Sequence, residues 1–126
     1  PANVQWLGPV PRAEAHRLYR SADVFVLPTL SDGFAITQVE ALAHGLPVVA
    51  TPHCGDVVEE GRTGFLVPAG DATALASALR RFVRDPGLAR RLRPACLEAA
   101  ARFSIAAYAD RLAAIIRARQ ASGGAV

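Results

Sequence analysis

No stretch of the 126 residues approaches the roughly 18 consecutive apolar residues that a membrane-spanning helix requires, so a spanning helix is excluded. No secretory leader is recognisable, and the chain begins Pro1-Ala2, as an excised piece of a longer protein would. Cysteine is scarce: Cys54 and Cys96 stand alone, without the close spacing of a metal or redox pair. Free thiols in a reducing cytoplasm are therefore expected, and His53-Cys54 by itself makes no metal site. Lysine is absent, since all 14 basic residues are Arg, and the excess over acidic residues leaves a net charge of only +3. The Arg residues gather in the C-terminal half, at Arg80, Arg81, Arg84, Arg90, Arg91, Arg93 and Arg102. Aromatic residues are not interleaved with them and no nucleic-acid-binding motif occurs. Solvated helix faces, and no nucleic-acid partner, are the expectation; attraction to an anionic membrane surface is the lesser alternative. There is no internal repeat.

What is present suits one domain. A hydrophobic content of 52% is ample for a core at this length. Val4-Gln5-Trp6-Leu7 reads as a strand ending at Gly8-Pro9. A helix from Pro11-Arg12 to about Ser21 follows, with Ala15, Leu18 and Tyr19 on one face and His16 in solvent. Asp23 to Leu27 does not alternate and reads as a buried strand. A second strand is expected near Pro47 to Ala50, a short helical turn over Asp56 to Glu60, and a last strand over Gly64-Phe65-Leu66-Val67. Asp71 suits the N-cap of a helix with Leu75, Leu79, Phe82 and Val83 inward. Asp85-Pro86-Gly87 closes it. A further helix over Leu88 to Arg102 should kink at Pro94. Ser104 caps a final helix with Ile105, Tyr108, Leu112, Ile115 and Ile116 on one stripe, and Ala121 to Val126 reads as a frayed tail.

The most informative stretch runs from Ser31 to Thr51. Apolar positions at Ala35, Ile36, Val39, Leu42 and Ala43 have helical spacing. Gly45 suits the left-handed C-terminal cap, and Pro47 forbids continuation. The unit is strand, loop, helix, strand, and a right-handed crossover makes its strands parallel. Ser31-Asp32-Gly33 stands where the strand's C-terminal end meets the helix, which is where open parallel sheets bind ligands. The amides from Phe34 to Thr37 are free to hold an anion, assisted by the helix dipole. Glu40 flanks the apolar stripe beside Thr37 and His44, about 9 Å along the axis from Phe34. Its side chain tilts back toward the N-terminus. Asp32 and Glu40 thus address the two ends of one elongated ligand. The plainer alternatives are a turn or cap role for Asp32 and a solvated charge at Glu40.

Asp32-Gly33-Phe34-Ala35, followed by Glu40-Ala41-Leu42-Ala43-His44-Gly45-Leu46-Pro47-Val48, resembles the nucleotide-sugar signature of retaining glycosyltransferases of the GT-B fold, family 4. That signature reads acidic-Gly-Phe-Gly, then Glu-Ala-x-Ala-x-Gly-x-Pro-Val, with seven residues between its two acidic positions. The flanks are similar too: Leu7-Gly8 with Pro11, Tyr19-x3-Asp23-Val24-Phe25-Val26-Leu27-Pro28, and Gly61-Arg62-Thr63-Gly64-Phe65-Leu66-Val67-Pro68. The resemblance covers roughly residues 4 to 116. It implies that Glu40 binds the donor's ribose and Asp32 the transferred sugar. The amides of Gly33, Phe34, Ala35, Ile36 and Thr37 would contact sugar and diphosphate, and Pro9 and Val10 would border the base. The sequence departs from the pattern at Asp32, where Glu is usual, and at Ala35, where Gly is usual. Cys54-Gly55 and Asp56 stand nearest to the family's Gly-Gly pair and Glu, in a loop about two residues short.

The resemblance further implies an α/β fold: part of a doubly wound parallel sheet of order 3-2-1-4-5-6, of which residues 1–120 would supply strands 3 to 6. Strands 1 and 2, the basic pair that neutralises the diphosphate and the N-terminal acceptor domain would lie outside. The sheet edge left by the missing strands should be covered, either by Val4 to Leu7 pairing with Val24 to Leu27 or by a second chain. The implied activity is transfer of a sugar from a donor such as a UDP- or GDP-sugar to an unidentified acceptor (sugar, lipid-linked or small molecule). Configuration would be retained and no metal or other cofactor needed. A cytoplasmic location, with the parent protein at most peripheral to the inner membrane face, goes with it. The isolated chain should not turn over. A binding module without chemistry and a purely structural or oligomerising domain remain the alternatives.

Overall fold

The computed structural model describes residues 1–121. Its elements in order are α1 (Arg12–Ser21), β1 (Phe25–Leu27), α2 (Ile36–Ala43), β2 (Val48–Ala50), β3 (Gly64–Leu66), α3 (Ala72–Arg84), α4 (Leu88–Ala101) and α5 (Ile105–Ala121). The three strands form one parallel sheet in the order β1-β2-β3. Phe25, Val26 and Leu27 stand opposite Val48, Val49 and Ala50, which in turn stand opposite Gly64, Phe65 and Leu66. Every residue of β2 is buried, as expected of a central strand with both faces covered.

Side-chain alternation along β2 splits the core into two layers. Val48 and Ala50 join Ala41, Leu42 and Leu46 of the α2 region and Cys96 and Ala99 of α4. Val49 faces the other way, onto Phe65, Val67 and Ala78, with Leu75, Leu79 and Phe82 of α3 against them. Helices therefore cover both faces of a parallel sheet, which is the doubly wound α/β arrangement expected from the sequence.

The helix ends obey local chemistry. The Ala74 amide donates to Asp71 Oδ1 at 2.8 Å, so Asp71 caps α3 as expected. At the end of α2, Leu46 N–H donates to Ala41 O at 3.0 Å and Gly45 N–H to Leu42 O at 2.8 Å, with Gly45 at φ +75°. That pair of bonds closes the helix in the left-handed cap that only glycine enters without cost. The α4 helix runs on through Pro94. The Ala107 amide donates to Ser104 Oγ at 3.1 Å, as an N-cap does. All seven C-terminal Arg residues singled out above are exposed. Arg102 pairs with Glu59 and Arg91 with Asp85. Hydrogen bonds from Arg62 and then Arg102 hold the Glu59 carboxyl below its usual range.

Several expectations fail. Val4 to Leu7 forms no strand: residues 1–9 are exposed, Trp6 to 90%. Pairing of this segment with Val24 to Leu27 is therefore absent, and the outer edge of β1 pairs with no strand among the described residues. For the same reason β1 is half-buried rather than buried. The stretch from Asp56 to Glu60 is a turn, ending in an isolated bridge from Glu60 to Gly64, not a helical turn. Val83 points outward, 78% exposed, because it lies one residue beyond the α3 stripe that meets Phe65. The stripe of α5 exists but is uncovered: Ile105, Tyr108, Leu112, Ile115 and Ile116 are all exposed. Ala121 closes α5, and residues 122–126 of the expected tail lie outside the described residues.

Candidate functional site

The loop from Pro28 to Ala35 leaves the C-terminal end of β1 and is pinned to the loop that leaves β2. Thr51 Oγ1 donates to Thr29 O at 2.7 Å, Asp32 N–H to His53 O at 2.8 Å and Ala35 N–H to Cys54 O at 3.3 Å. Gln38, fully buried on α2, adds a 2.7 Å bond from Nε2 to Cys54 O. Two loops at the carboxyl ends of two parallel strands are thus held as one platform. The sequence pattern placed Ile36 and Val39 on the inner face of α2. Val39 does pack against the core with Ala35 and Leu42, but Ile36 is 63% exposed, and Gln38 and Ala41 are buried beside Leu42. Cys54 O thus accepts from both Ala35 and Gln38, while Gln38 Oε1 is buried with no hydrogen-bond partner among the described residues.

The amides of Gly33, Phe34, Ile36 and Thr37 have no hydrogen-bond partner among the described residues; the Gln38 amide closes a tight turn onto Ala35 O at 3.1 Å. These four donors stand together at the start of α2, where the helix dipole is positive. Ala35 has φ −72°, so the residue that replaces the usual glycine needs no left-handed conformation. A Cβ added at Gly33 would meet nothing within 4 Å, so this glycine leaves open space beside the amides.

Asp32 is exposed at the mouth of this platform and Glu40 is half-buried one turn further along α2, with Thr37 and His44 on the same flank, also half-buried. Glu40 is not a free charge: Tyr19 on α1 donates its hydroxyl to Glu40 Oε2 at 3.1 Å. The Tyr19 ring stacks on His44, centroids 5.0 Å apart, and tilts against Phe25 at 5.8 Å. His44 Nδ1 lies 2.7 Å from Glu40 O and His44 Nε2 lies 3.1 Å from His16 Nδ1. A carbonyl only accepts, so His44 donates from Nδ1, and a single proton lies between His44 Nε2 and His16 Nδ1. The expectation that His16 is solvated is corrected: it is half-buried against His44. Burial, then the hydrogen bond to Glu40, then that carboxylate's charge push the Tyr19 hydroxyl from 10.0 up to about 12. This stabilising contact is complete below pH 10 and is lost as pH rises toward 12.

Not every residue named from the sequence joins this group. Phe34 and Ile36 line a cavity of about 470 Å³ with Val39, Phe103 and Tyr108, and Phe34 lies 5.8 Å from Phe103. Val10 lines a separate hollow of about 280 Å³ with Leu18, Tyr19 and Phe25, on the α1 side. Pro9 is exposed in the irregular N-terminal segment. Tyr19 is the residue the sequence reading missed as part of the site. Its only signal was its place in Tyr19-x3-Asp23, ahead of β1. Cys54 and Cys96 are buried free thiols, and burial pushes Cys96 up to about 11. Among the described residues no group of three or more His, Cys, Asp or Glu side chains could hold a metal.

An α/β fold with helices on both sheet faces, and two carboxylates flanking unpaired amides at the carboxyl ends of β1 and β2, has the donors and acceptors to receive an anion and hydroxyl groups. The chain belongs to the family described as Glycosyl transferases group 1, which it matches over residues 1–85. It is 36% identical to a phosphatidyl-myo-inositol mannosyltransferase of Mycobacterium leprae, over 98% of this chain and 34% of that protein. It is 35% identical to a D-inositol 3-phosphate glycosyltransferase of Corynebacterium diphtheriae, over 89% of this chain and 27% of that protein. Among solved structures, a sucrose-phosphate synthase from Thermosynechococcus elongatus superposes with a TM-score of 0.82 at 33% identity, over 97% of this chain and 31% of that one. Anabaena HepE, solved in complex with UDP, gives 0.75 at 25% identity, over 85% of this chain and 30% of that one. The fold is that of a GT-B glycosyltransferase, and the chain spans about a third or less of the length of these relatives.

Proposed function

We propose that this chain is the donor-binding part of a retaining, family 4 glycosyltransferase and that it holds a nucleoside diphosphate sugar across the start of α2. The supporting observation is that Asp32 and Glu40 bracket the unpartnered amides of Gly33, Phe34, Ile36 and Thr37. Glu40 would accept hydrogen bonds from the ribose diol and Asp32 from hydroxyls of the transferred sugar. The amides and the helix dipole would take the diphosphate, with no metal ion. As the sugar leaves, charge grows on the diphosphate, and fixed amides stabilise it without reorganising. Pro9 and Val10 bordering the base belong to the same proposal. The complex of HepE with UDP is a relative's, and it supports the ligand class rather than this chain's own residues.

A second reading, binding without turnover, is favoured for this chain alone. The chain spans about a third or less of its relatives' length, and the cation on the cavity lined by Phe34 and Ile36 is Arg111 of α5. Transfer would then require the rest of a longer protein to supply the acceptor site.

Calorimetric titration with UDP, GDP, uridine and guanosine tests both readings. Binding is expected for the diphosphates and not for the nucleosides. Gly33→Ala, which meets no atom within 4 Å, should keep the fold and weaken diphosphate binding about tenfold by crowding the amides. Failure of every nucleoside diphosphate to bind sinks the proposal, and sugar transfer by the isolated chain sinks the second reading. The uncovered outer edge of β1 carries a further expectation, that a second chain pairs with it. Sedimentation showing a monomer, together with fast amide exchange along β1, would exclude that.

A further inference from the structure

Glu40 has two carboxylate oxygens, and the fold occupies one of them. Oε2 receives the Tyr19 hydroxyl at 3.1 Å, and Oε1 has no protein partner among the described residues. The tyrosine ring is itself held from two sides. Its ring stacks on His44 at 5.0 Å and leans on Phe25 at 5.8 Å. His44 is in turn fixed by Glu40 O at 2.7 Å and His16 at 3.1 Å. The bond spans 21 residues of sequence and joins α1 to the middle of α2. A glutamate on a short helix otherwise has three rotatable side-chain bonds, and a ligand that captures it must order them.

We propose that Tyr19 is a positioning residue of the nucleotide site: by filling Glu40 Oε2 it turns Oε1 toward the ribose hydroxyls and sets the preference for a ribose over a deoxygenated sugar. This rests on the assignment of Glu40 to the ribose made above. The hydroxyl acts only through the carboxylate and touches no reacting atom. His44 and His16 serve the same end by keeping the phenol ring in place. The contact also explains why a half-buried tyrosine hydroxyl faces α2 at a point where a phenylalanine would fill the same apolar space beside Phe25.

Two measurements on the chain test this. The first is a tyrosine absorbance titration, in which Tyr19 and Tyr108 are the only phenols. One phenol should ionise near pH 12 in the wild type and lower in Glu40→Gln, though still above the ordinary value, because burial, the largest cause, remains. A wild type with no late-ionising phenol overturns the proposal. The second compares UDP with 2′,3′-dideoxy-UDP in wild type, Tyr19→Phe and Glu40→Ala, with folding checked by circular dichroism. Tyr19→Phe keeps the ring and removes only the donor. It should lower UDP affinity about tenfold and leave the dideoxy analogue unchanged. An equal effect on both ligands, or on neither, overturns the positioning role. If Glu40→Ala leaves the preference for UDP intact, the ribose assignment itself falls, whatever the absorbance titration shows.

Discussion

Gly64→Ala should cost this chain a large part of its stability, about 3 kcal/mol or more out of the 5–15 kcal/mol typical of a domain. Gly64 opens β3 directly opposite Val48 of β2. A Cβ built there would lie 1.7 Å from Val48 O, 2.6 Å from its carbonyl carbon and 2.8 Å from its nitrogen. Those are backbone atoms of the fully buried central strand, so neither side has a flexible end to move aside. Relief requires β3 to leave β2, which also withdraws Phe65 from the layer under α3. Gly61→Ala is the control. It imposes the left-handed strain alone, at φ +72° with open space around it, and should cost about 1 kcal/mol. Thermal melts of the two variants separate the effects: a shift no greater for Gly64→Ala than for Gly61→Ala would show that the β2–β3 pairing is looser than drawn.

Glu40→Ala should weaken binding of a nucleoside diphosphate by about ten- to a hundred-fold. The range follows from the loss of charge-assisted hydrogen bonds worth about 1.5–3 kcal/mol each. The carboxylate is half-buried and already oriented by Tyr19, so its loss is not made good by water as easily as at an exposed site. The fold should survive, since Glu40 lies on the flank of α2 and not among its buried residues Gln38, Ala41 and Leu42. The orphaned Tyr19 hydroxyl should cost about 1 kcal/mol. Titration with UDP gives the affinity and a melt gives the stability. Unchanged UDP affinity in a folded Glu40→Ala chain would remove the ribose role.

Much of this architecture was legible from local chemistry. The strand-loop-helix-strand unit, its parallel strands, the glycine cap at Gly45 and the aspartate cap at Asp71 all follow from neighbours a few residues apart. So does the cluster of free amides beside Asp32, because a helix always leaves its first donors unpaired. The reading failed where the outcome depends on residues distant in sequence. Ile36 fits the apolar stripe that Val39 and Leu42 keep, yet it is exposed while Gln38 is buried and donates to the Cys54 carbonyl of the β2 loop. Val4 to Leu7 has strand composition, yet it does not take the bare edge of β1, because composition alone does not choose a strand's partner. His16 carries no local sign of its pairing with His44, 28 residues away.

The order of elements, their caps and the position of both carboxylates relative to α2 were determined by the sequence itself, since each is set by backbone conformation and side chains within a turn or two. The tertiary structure alone decided which face of α2 is buried, which edge of the sheet is bare and which oxygen of Glu40 is occupied. Those depend on contacts that exist only when α1, the β2 loop and α2 have come together, and no periodicity in the chain encodes the meeting of Tyr19 with Glu40.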